Sequence, residues 1–227
     1  MRSEAVGVLG GTFDPVHVGH LHVAQGVRRM FRLPRVLLVP CATPSHKSPV
    51  EISPSEHRIA MLRLAIAGET GLEVSTLEVD RGGTSFTIDT LRTLRNGGRS
   101  APVFIVGLDA LADLPTWREH RRLVEEFDLV AVDRPGGSLE EALRSLGSGI
   151  TRRIVHVPSE PGTPALAALP PPGEGGRIFH LVLPPIPVSS REIRALSAAG
   201  APLASLVPPA VARYIQTQGL YRQEGSL

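Results

Sequence analysis

The sequence predicts an α/β fold: a doubly wound parallel sheet with helices on both faces and a small C-terminal helical region. Three observations carry this expectation. Strand-like apolar runs alternate with helix-like periodic stretches along most of the chain, the pattern of a parallel sheet covered on both sides. The runs are short and almost wholly apolar, as in Val6-Gly7-Val8-Leu9 and Val36-Leu37-Leu38-Val39, so each reads as a buried strand. The most distinctive loops, at 10–20, 41–49, 107–109 and 133–137, fall just beyond the carboxyl ends of expected strands. That edge is where open α/β sheets bind ligands.

The elements follow in order. Val6-Gly7-Val8-Leu9 is the first strand, and Leu21, Ala24, Val27 and Phe31 mark the inner face of the helix after it. Residues 35–40 form the second strand, followed by a loop rich in Pro and Ser. Ser53-Pro54-Ser55-Glu56 reads as a capping box with proline at the first helical position, opening a helix with Ile59, Leu62 and Ile66 inward. Residues 72–77 read as a strand, Asp80-Arg81-Gly82-Gly83 as a turn, and Ser85 or Thr87 as the cap of a helix carrying Ile88, Leu91 and Leu94. Residues 103–106 form a core strand ending at Gly107-Leu108-Asp109, and a helical stretch interrupted by Pro115 leads to a strand at 128–132. A short helix is expected over 138–146 and peripheral strands over 154–157 and 178–183. Between those strands, 158–176 is rich in Pro, Gly and Ala and reads as a flexible loop. Ser189-Ser190-Arg191-Glu192 is a second capping box, opening a helix that stops at Gly200, and Pro208-Pro209 opens a last helix ended by Gly219.

Composition bounds the rest. The 227 residues suit one domain, 1–227, with 188–227 as its C-terminal helical subregion. A hydrophobic share of 42% supports a sizeable core, and a charged share of 20% argues against wholesale disorder. No apolar run is long enough to span a bilayer, and the start lacks a basic segment followed by an apolar one. Cys41 is the single cysteine, which excludes an internal disulfide and a cysteine-based zinc cage. The expectation is a cytoplasmic protein with no membrane partner. The formal net charge is only +2, although the isoelectric point is about 9.2, so no nucleic-acid partner is expected. Lys47 is the only lysine, and the other 23 of the 24 basic residues are arginines. A homo-oligomer is left open.

The stretch that gathers the chemistry is Gly10-Gly11-Thr12-Phe13-Asp14-Pro15-Val16-His17-Val18-Gly19-His20. It is a strand-to-helix turn, with two histidines at the start of the helix, where unpaired N–H groups and the dipole favour an anion. A dinucleotide site of the dehydrogenase kind would need G-x-G-x-x-G, which this run does not supply. A metal site would need a third ligand, and none is evident nearby. The reading is a phosphate site with His17 and His20 as cationic or proton-donating contacts. At 188–194, two serines and two arginines open another helix, offering N–H, hydroxyl and guanidinium donors.

These motifs, in this order, resemble the bacterial nicotinate-nucleotide adenylyltransferases of the nucleotidyltransferase superfamily. His17-Val18-Gly19-His20 resembles the H-x-G-H signature. Val188-Ser189-Ser190-Arg191-Glu192-Ile193-Arg194 is similar to I-S-S-T-x-I-R, with Val188 for Ile and Arg191 for Thr. Pro44-Ser45-His46-Lys47 resembles the P-P-H-K loop, with Ser45 departing from it. Thr84-Ser85-Phe86-Thr87, with Asp89-Thr90-Leu91 after it, resembles S-Y-T-x-x-T-L. Phe104 to Asp109, followed by Leu114-Pro115-Thr116-Trp117, resembles I-x-G-x-D with its P-x-W region. Arg134-Pro135-Gly136 matches R-P-G, and 211–221 resembles the closing helix and G-L-Y ending.

The resemblance implies a Rossmann-like fold and an enzyme that joins ATP and nicotinate mononucleotide into deamido-NAD and pyrophosphate. It implies catalytic roles for His17, His20 and Arg194. ATP would be held by Gly10, Gly11, Thr12, Phe13, His17, His20, Gly107, Arg134, Ser189, Ser190 and Arg194. Nicotinate mononucleotide would be held by Lys47, Thr87, Asp109, Trp117 and Arg118, the last through its backbone. If the Arg118 side chain pointed inward, it would favour a carboxylate over an amide. Mg²⁺ is expected through the ATP phosphates, with no dedicated protein metal site. His22, His57, His120, His156 and His180 match no motif and read as structural or exposed, and nothing marks Cys41 as a nucleophile. The rivals are a pantetheine-phosphate adenylyltransferase, which shares H-x-G-H, and a non-catalytic nucleotide-binding module.

Overall fold

β1 (Glu4–Gly11) is an inner strand of the sheet, third from one edge, and the architecture is laid out from it. The computed structural model describes residues 4–43, 52–97, 100–133, 138–157 and 176–222. The other strands are β2 (Val36–Pro40), β3 (Leu72–Val74), β4 (Ser100–Gly107), β5 (Asp128–Val132), β6 (Ile154–Val157) and β7 (Ile178–Leu181). They form one sheet in the order β3-β2-β1-β4-β5-β7-β6, with every neighbouring pair parallel. Val8 pairs with Leu37 on one side and Phe104 on the other. The chain thus runs outward from β1 through β2 to β3, crosses back to β4, and continues the opposite way. That reversal makes the gap between β1 and β4 a topological switch point, where a ligand crevice opens. Gly11 and Gly107 end the two strands that flank it.

The helices among the described residues are α1 (Val18–Met30), α2 (Ser55–Ala65), α3 (Leu77–Arg81), α4 (Thr87–Asn96), α5 (Leu108–Ala112), α6 (His120–Glu126), α7 (Leu139–Ser145), α8 (Ser148–Thr151), α9 (Ser190–Ala198) and α10 (Pro209–Thr217). Side chains alternate across a strand, and here that alternation sorts the core into two layers. Leu9, Ile105 and Val130 pack with α1, α2, α9 and α10 through Val27, Leu62, Ile193 and Ile215. Their strand neighbours Val8, Phe104 and Leu129 pack on the other face with α4, α5, α6 and α7 through Leu91, Leu111, Leu123 and Ala142. Each large apolar side chain withdrawn fully from water contributes about 1.5–3 kcal/mol before ordering entropy is subtracted. The doubly wound arrangement is therefore a consequence of strands that are apolar on both faces. None of the described helices is long and apolar enough to cross a membrane.

The structure departs from the sequence reading at several element ends, among them the strand expected over 178–183, which stops at Leu181. Ser53 does not cap α2: Pro54 occupies that position without a side-chain bond, and the Ser53 N–H donates to Asp14 Oδ2 at 3.1 Å. The strand expected over 72–77 ends at Val74, and α3 takes in Asp80 and Arg81, leaving only Gly82 and Gly83 for the turn. Glu78, on α3, is drawn into the interior, where its carboxylate accepts the Thr90 hydroxyl. Neither Ser85 nor Thr87 caps α4. Phe86 is at the cap, and Ser85 Oγ accepts instead from the Ala42 N–H at 3.1 Å. The short helix α8 was not expected. Elsewhere the capping signals hold, as Ser138 Oγ accepts from Glu141 N–H and Ser189 Oγ from Glu192 N–H. Of the flexible loop expected over 158–176, all but Gly176 lies outside the described residues.

Candidate active site

The turn between β1 and α1 forms the middle of the site. His17, in extended conformation (φ −143°, ψ 170°), precedes the first turn of α1. Its backbone N–H donates to His20 Nδ1 at 3.3 Å. An amide N–H can only donate, so Nδ1 of His20 is the bare nitrogen and the neutral ring carries its proton on Nε2. The two imidazoles stack with centroids 3.7 Å apart, and Phe13 meets His20 edge-on at 4.9 Å. Gly19 between them leaves little room for a side chain. A Cβ there would lie 3.0 Å from Val188 Cγ1 and 3.1 Å from His17 Nδ1. The H-x-G-H spacing is thus a packing solution: two stacked rings with α9's approach segment against the glycine.

Residues remote in sequence lock this turn in place. Asp14 is 3% exposed; its Oδ1 accepts the Tyr221 hydroxyl at 2.7 Å and its Oδ2 accepts the Ser53 N–H. Its backbone carbonyl accepts Arg194 Nη1 at 2.7 Å, and the next carbonyl, of Pro15, accepts the Ser190 hydroxyl at 2.9 Å. Burial, then the Asp14 carboxylate, pushes the Tyr221 phenol well above its ordinary range, so it stays a donor. Ser190 has one hydroxyl proton, and it is committed to Pro15. Any contact of Ser190 with a phosphate therefore falls to its backbone N–H.

Arg58, on α2, is the site feature that sequence reasoning missed. It is 1% exposed and donates to four backbone carbonyls: Thr12 and Cys41 at 2.9 Å, Ser53 at 3.0 Å and Ala42 at 3.3 Å. Its one sequence signal was an arginine beside the apolar positions of an amphipathic helix. Burial pushes the Cys41 thiol up, against the lowering pull of the Arg58 cation. A thiol so held is protonated at neutral pH, in line with Cys41 not being a nucleophile.

The second group of expected residues gathers at the ends of β4 and α4. The Phe104 ring connects it to the turn, since a Cβ on Gly10 would lie 3.5 Å from Phe104 Cε2 and the Trp117 ring packs edge-on against Phe104 at 6.0 Å. Trp117 is half-buried, behind the 3₁₀ turn Leu114–Thr116, and Thr87 opens α4. Asp109 is exposed in the first turn of α5, whose cap is Gly107. The Arg118 side chain does not point inward. Its guanidinium pairs with Asp89 at 3.2 Å and lies over the Phe86 ring at 4.8 Å. The Ala42–Ser85 bond and a bridge between Thr43 and Thr84 tie the root of the 41–49 loop to this group. Lys47 and Arg134 themselves lie outside the described residues.

A cavity opens at the switch point, lined by His17, His20, Gly107, Asp133, Ile186 and Val188, among others. Asp133 is held there by His180, whose Nε2 is 2.8 Å from Asp133 Oδ1, and His180 in turn meets His156, Nδ1 to Nδ1, at 3.2 Å. His57 Nδ1 meets the Tyr214 hydroxyl at 3.0 Å. His57, His156 and His180 thus have partners within the fold, whereas His22, of the same set, lines the cavity. Among the described residues no group of three or more His, Cys, Asp or Glu could hold a metal ion.

Comparison with known proteins adds to this geometry. A family model described as Cytidylyltransferase-like matches residues 8–196. A protein of Symbiobacterium thermophilum named as a nicotinate-nucleotide adenylyltransferase is 43% identical, the match covering 95% of this chain and 94% of that one. One of the same name from Geobacter sulfurreducens is 37% identical, with 96% and 99% covered. Among solved structures, the nicotinic acid mononucleotide adenylyltransferase of Plasmodium falciparum complexed with NaAD superposes with a TM-score of 0.71 at 18% identity, covering 96% and 97%, which establishes the shared fold. Relatives of this likeness along nearly the whole chain, together with the H-x-G-H turn at the switch point, show that the chain belongs to the nicotinate-nucleotide adenylyltransferase family.

Proposed function

We propose that this protein transfers the adenylyl group of ATP to nicotinate mononucleotide, giving deamido-NAD and pyrophosphate in NAD biosynthesis, in the cytoplasm. The observation that carries the reading is the stacked His17–His20 pair at the start of α1, with both residues lining the switch-point cavity. An oxygen of the mononucleotide phosphate forms a bond to the α-phosphorus of ATP as the bond to the β-phosphate oxygen breaks. Pyrophosphate leaves with the electron pair. No protein nucleophile is needed, and the protein's task is to align two polyanions and stabilise the charge that develops.

In this reading His17 and His20 contact the α- and β-phosphates, with Gly10, Gly11, Thr12 and Phe13 offering backbone donors. Ser189, Ser190 and Arg194 act on the β- and γ-phosphates, Ser190 through its N–H. Arg194 spends one donor on Asp14 and has others to give. Gly107 and Arg134 lie by the adenosine, and Lys47 pairs with the mononucleotide phosphate. Thr87, Asp109, Trp117 and the Arg118 backbone receive the nicotinate nucleoside, Trp117 as a stacking surface. Mg²⁺ would be held on phosphate oxygens, where it neutralises charge, because the donors at this edge are imidazoles, amides and a guanidinium suited to anions.

Pyrophosphate release tests the reading. Purified protein should release it from ATP with nicotinate mononucleotide, and more slowly with nicotinamide mononucleotide. Preference for phosphopantetheine would move the protein to another pathway, and no release with any acceptor would make it a nucleotide-binding module.

A further inference from the structure

We propose that Arg58 is a positioning residue that aims the Phe13 N–H at the nucleotide phosphates by gripping the Thr12 carbonyl. This rests on the adenylyl-transfer reading for the identity of the anion. Arg58 Nη1 donates at 2.9 Å to the Thr12 oxygen, and the guanidinium also donates to the Cys41, Ala42 and Ser53 carbonyls. In a trans peptide the C=O and the following N–H point opposite ways. A guanidinium holding the Thr12 carbonyl from the α2 side therefore turns the Phe13 N–H to the other side of the same peptide. That N–H has no acceptor among the described residues.

The local backbone explains why such a grip is needed. Phe13 has φ +51°, a left-handed conformation unfavourable to a bulky non-glycine residue. Its ring is 1% exposed and packs against His20. Left to itself, the Thr12–Phe13 peptide would relax by rotating, and its N–H would swing away. Arg58 opposes this rotation with a charge-assisted bond in a dry environment. The same bond polarises the peptide and makes its N–H a stronger donor. Arg58 forms no ion pair with a carboxylate among the described residues. Its charge is shared among peptide dipoles, and one of these relays it toward the anion. The grip on Cys41 and Ala42 fixes the root of the 41–49 loop to the same point, so the two loops expected to meet the two substrates share one anchor.

The test uses the full chain and α,β-methylene-ATP as probe. In the wild type, saturation with the analogue should move the Phe13 amide proton resonance downfield, as expected for a new bond to phosphate oxygen; an unmoved resonance overturns the proposal. Arg58→Lys keeps the charge but not the planar fork. It should retain the circular dichroism spectrum, lose the Phe13 shift, and lower kcat by about tenfold or more. Millimolar guanidinium should restore part of the turnover of Arg58→Ala, and methylammonium should not. Wild-type turnover in Arg58→Lys overturns the proposal. If neither variant folds, the wild-type resonance alone decides. Failure of the wild type to release pyrophosphate with any acceptor would instead sink the adenylyl-transfer reading, and the Phe13 resonance would still report on Arg58's role in anion binding.

Discussion

The Tyr221 hydroxyl donates to Asp14 Oδ1 across 2.7 Å, joining residues 207 positions apart. The last turn of the described chain thereby closes over the loop that leaves β1. Asp14 also accepts Arg194 on its carbonyl, so the C-terminal region holds the β1–α1 turn at two atoms of one residue. The C-terminal helices are in this sense part of the site.

Tyr221→Phe removes that donor while keeping the ring. Asp14, almost fully buried, would keep the Ser53 N–H but lose the stronger of its two side-chain partners. A hydrogen bond to a buried charged group is worth roughly 1.5–3 kcal/mol. The urea midpoint should fall accordingly, and kcat should fall with it as the turn loosens. An unchanged midpoint would show that the hydroxyl does not support Asp14.

His20→Ala should lower kcat by at least ~10²-fold, the lower range for removal of a preorganised electrostatic contact. The variant also leaves the His17 N–H without its Nδ1 acceptor. His20→Asn is the companion, since its side-chain oxygen can cap that N–H without presenting an Nε2 donor. Both variants should be slow if the donor matters, and rescue by Asn would reassign His20 to a capping role. Steady-state pyrophosphate release measures this.

Arg118→Ala should leave the preference between nicotinate and nicotinamide mononucleotide unchanged. The guanidinium is about half exposed and is engaged by Asp89 and Phe86. An exposed pair of this kind contributes about 0–1 kcal/mol, so the thermal midpoint should move little. A collapse of the preference ratio in competition assays would mean that the side chain turns inward when substrate binds.

Acid should weaken the α4–α6 contact. Hydrogen bonds from Arg92 and then Arg95 hold the Glu126 carboxyl down at about 2, below its ordinary 4.5. A depressed folded-state value means the stabilisation is fully present above about 4.5 and is lost as pH falls through about 2. Allowing for screening of side chains about a quarter exposed, the pair contributes about 1–2 kcal/mol. Glu126→Gln should be less stable than wild type at neutral pH, and the two should converge near pH 2 in urea titrations. A constant gap across that window would assign the effect to packing.

Much of the site was legible in the sequence because its signals are local. The apolar run of residues 6–9, the two histidines three apart and the Ser189 cap each lie within one turn or one strand, where spacing alone sets the geometry. Alternation of strands and helices likewise announces a parallel sheet, and strands apolar on both faces require helices on both faces. Placement of the loops at one edge follows from that topology.

Tertiary structure decided the features that depend on partners distant in sequence. Ser53 reads as a cap, but Asp14 claims its N–H; Ser85 reads as a cap, but Ala42 claims its hydroxyl oxygen. Asp80 and Arg81 read as part of a turn, yet they belong to a helix whose Glu78 carboxylate is buried and accepts the Thr90 hydroxyl. Ser190 reads as a phosphate ligand, yet its proton goes to Pro15. No motif in the sequence marks Arg58, and only the meeting of the β1–α1 turn with both ends of the loop between β2 and α2 gives its guanidinium a buried place. In each case the backbone or side-chain group had a local use and a remote one. The remote one won because in a dry interior an unpaired donor or carbonyl costs about 1–3 kcal/mol. Local pattern determined which elements exist and which edge carries the chemistry, and the demand that buried polar groups be satisfied decided how the residues at that edge are aimed.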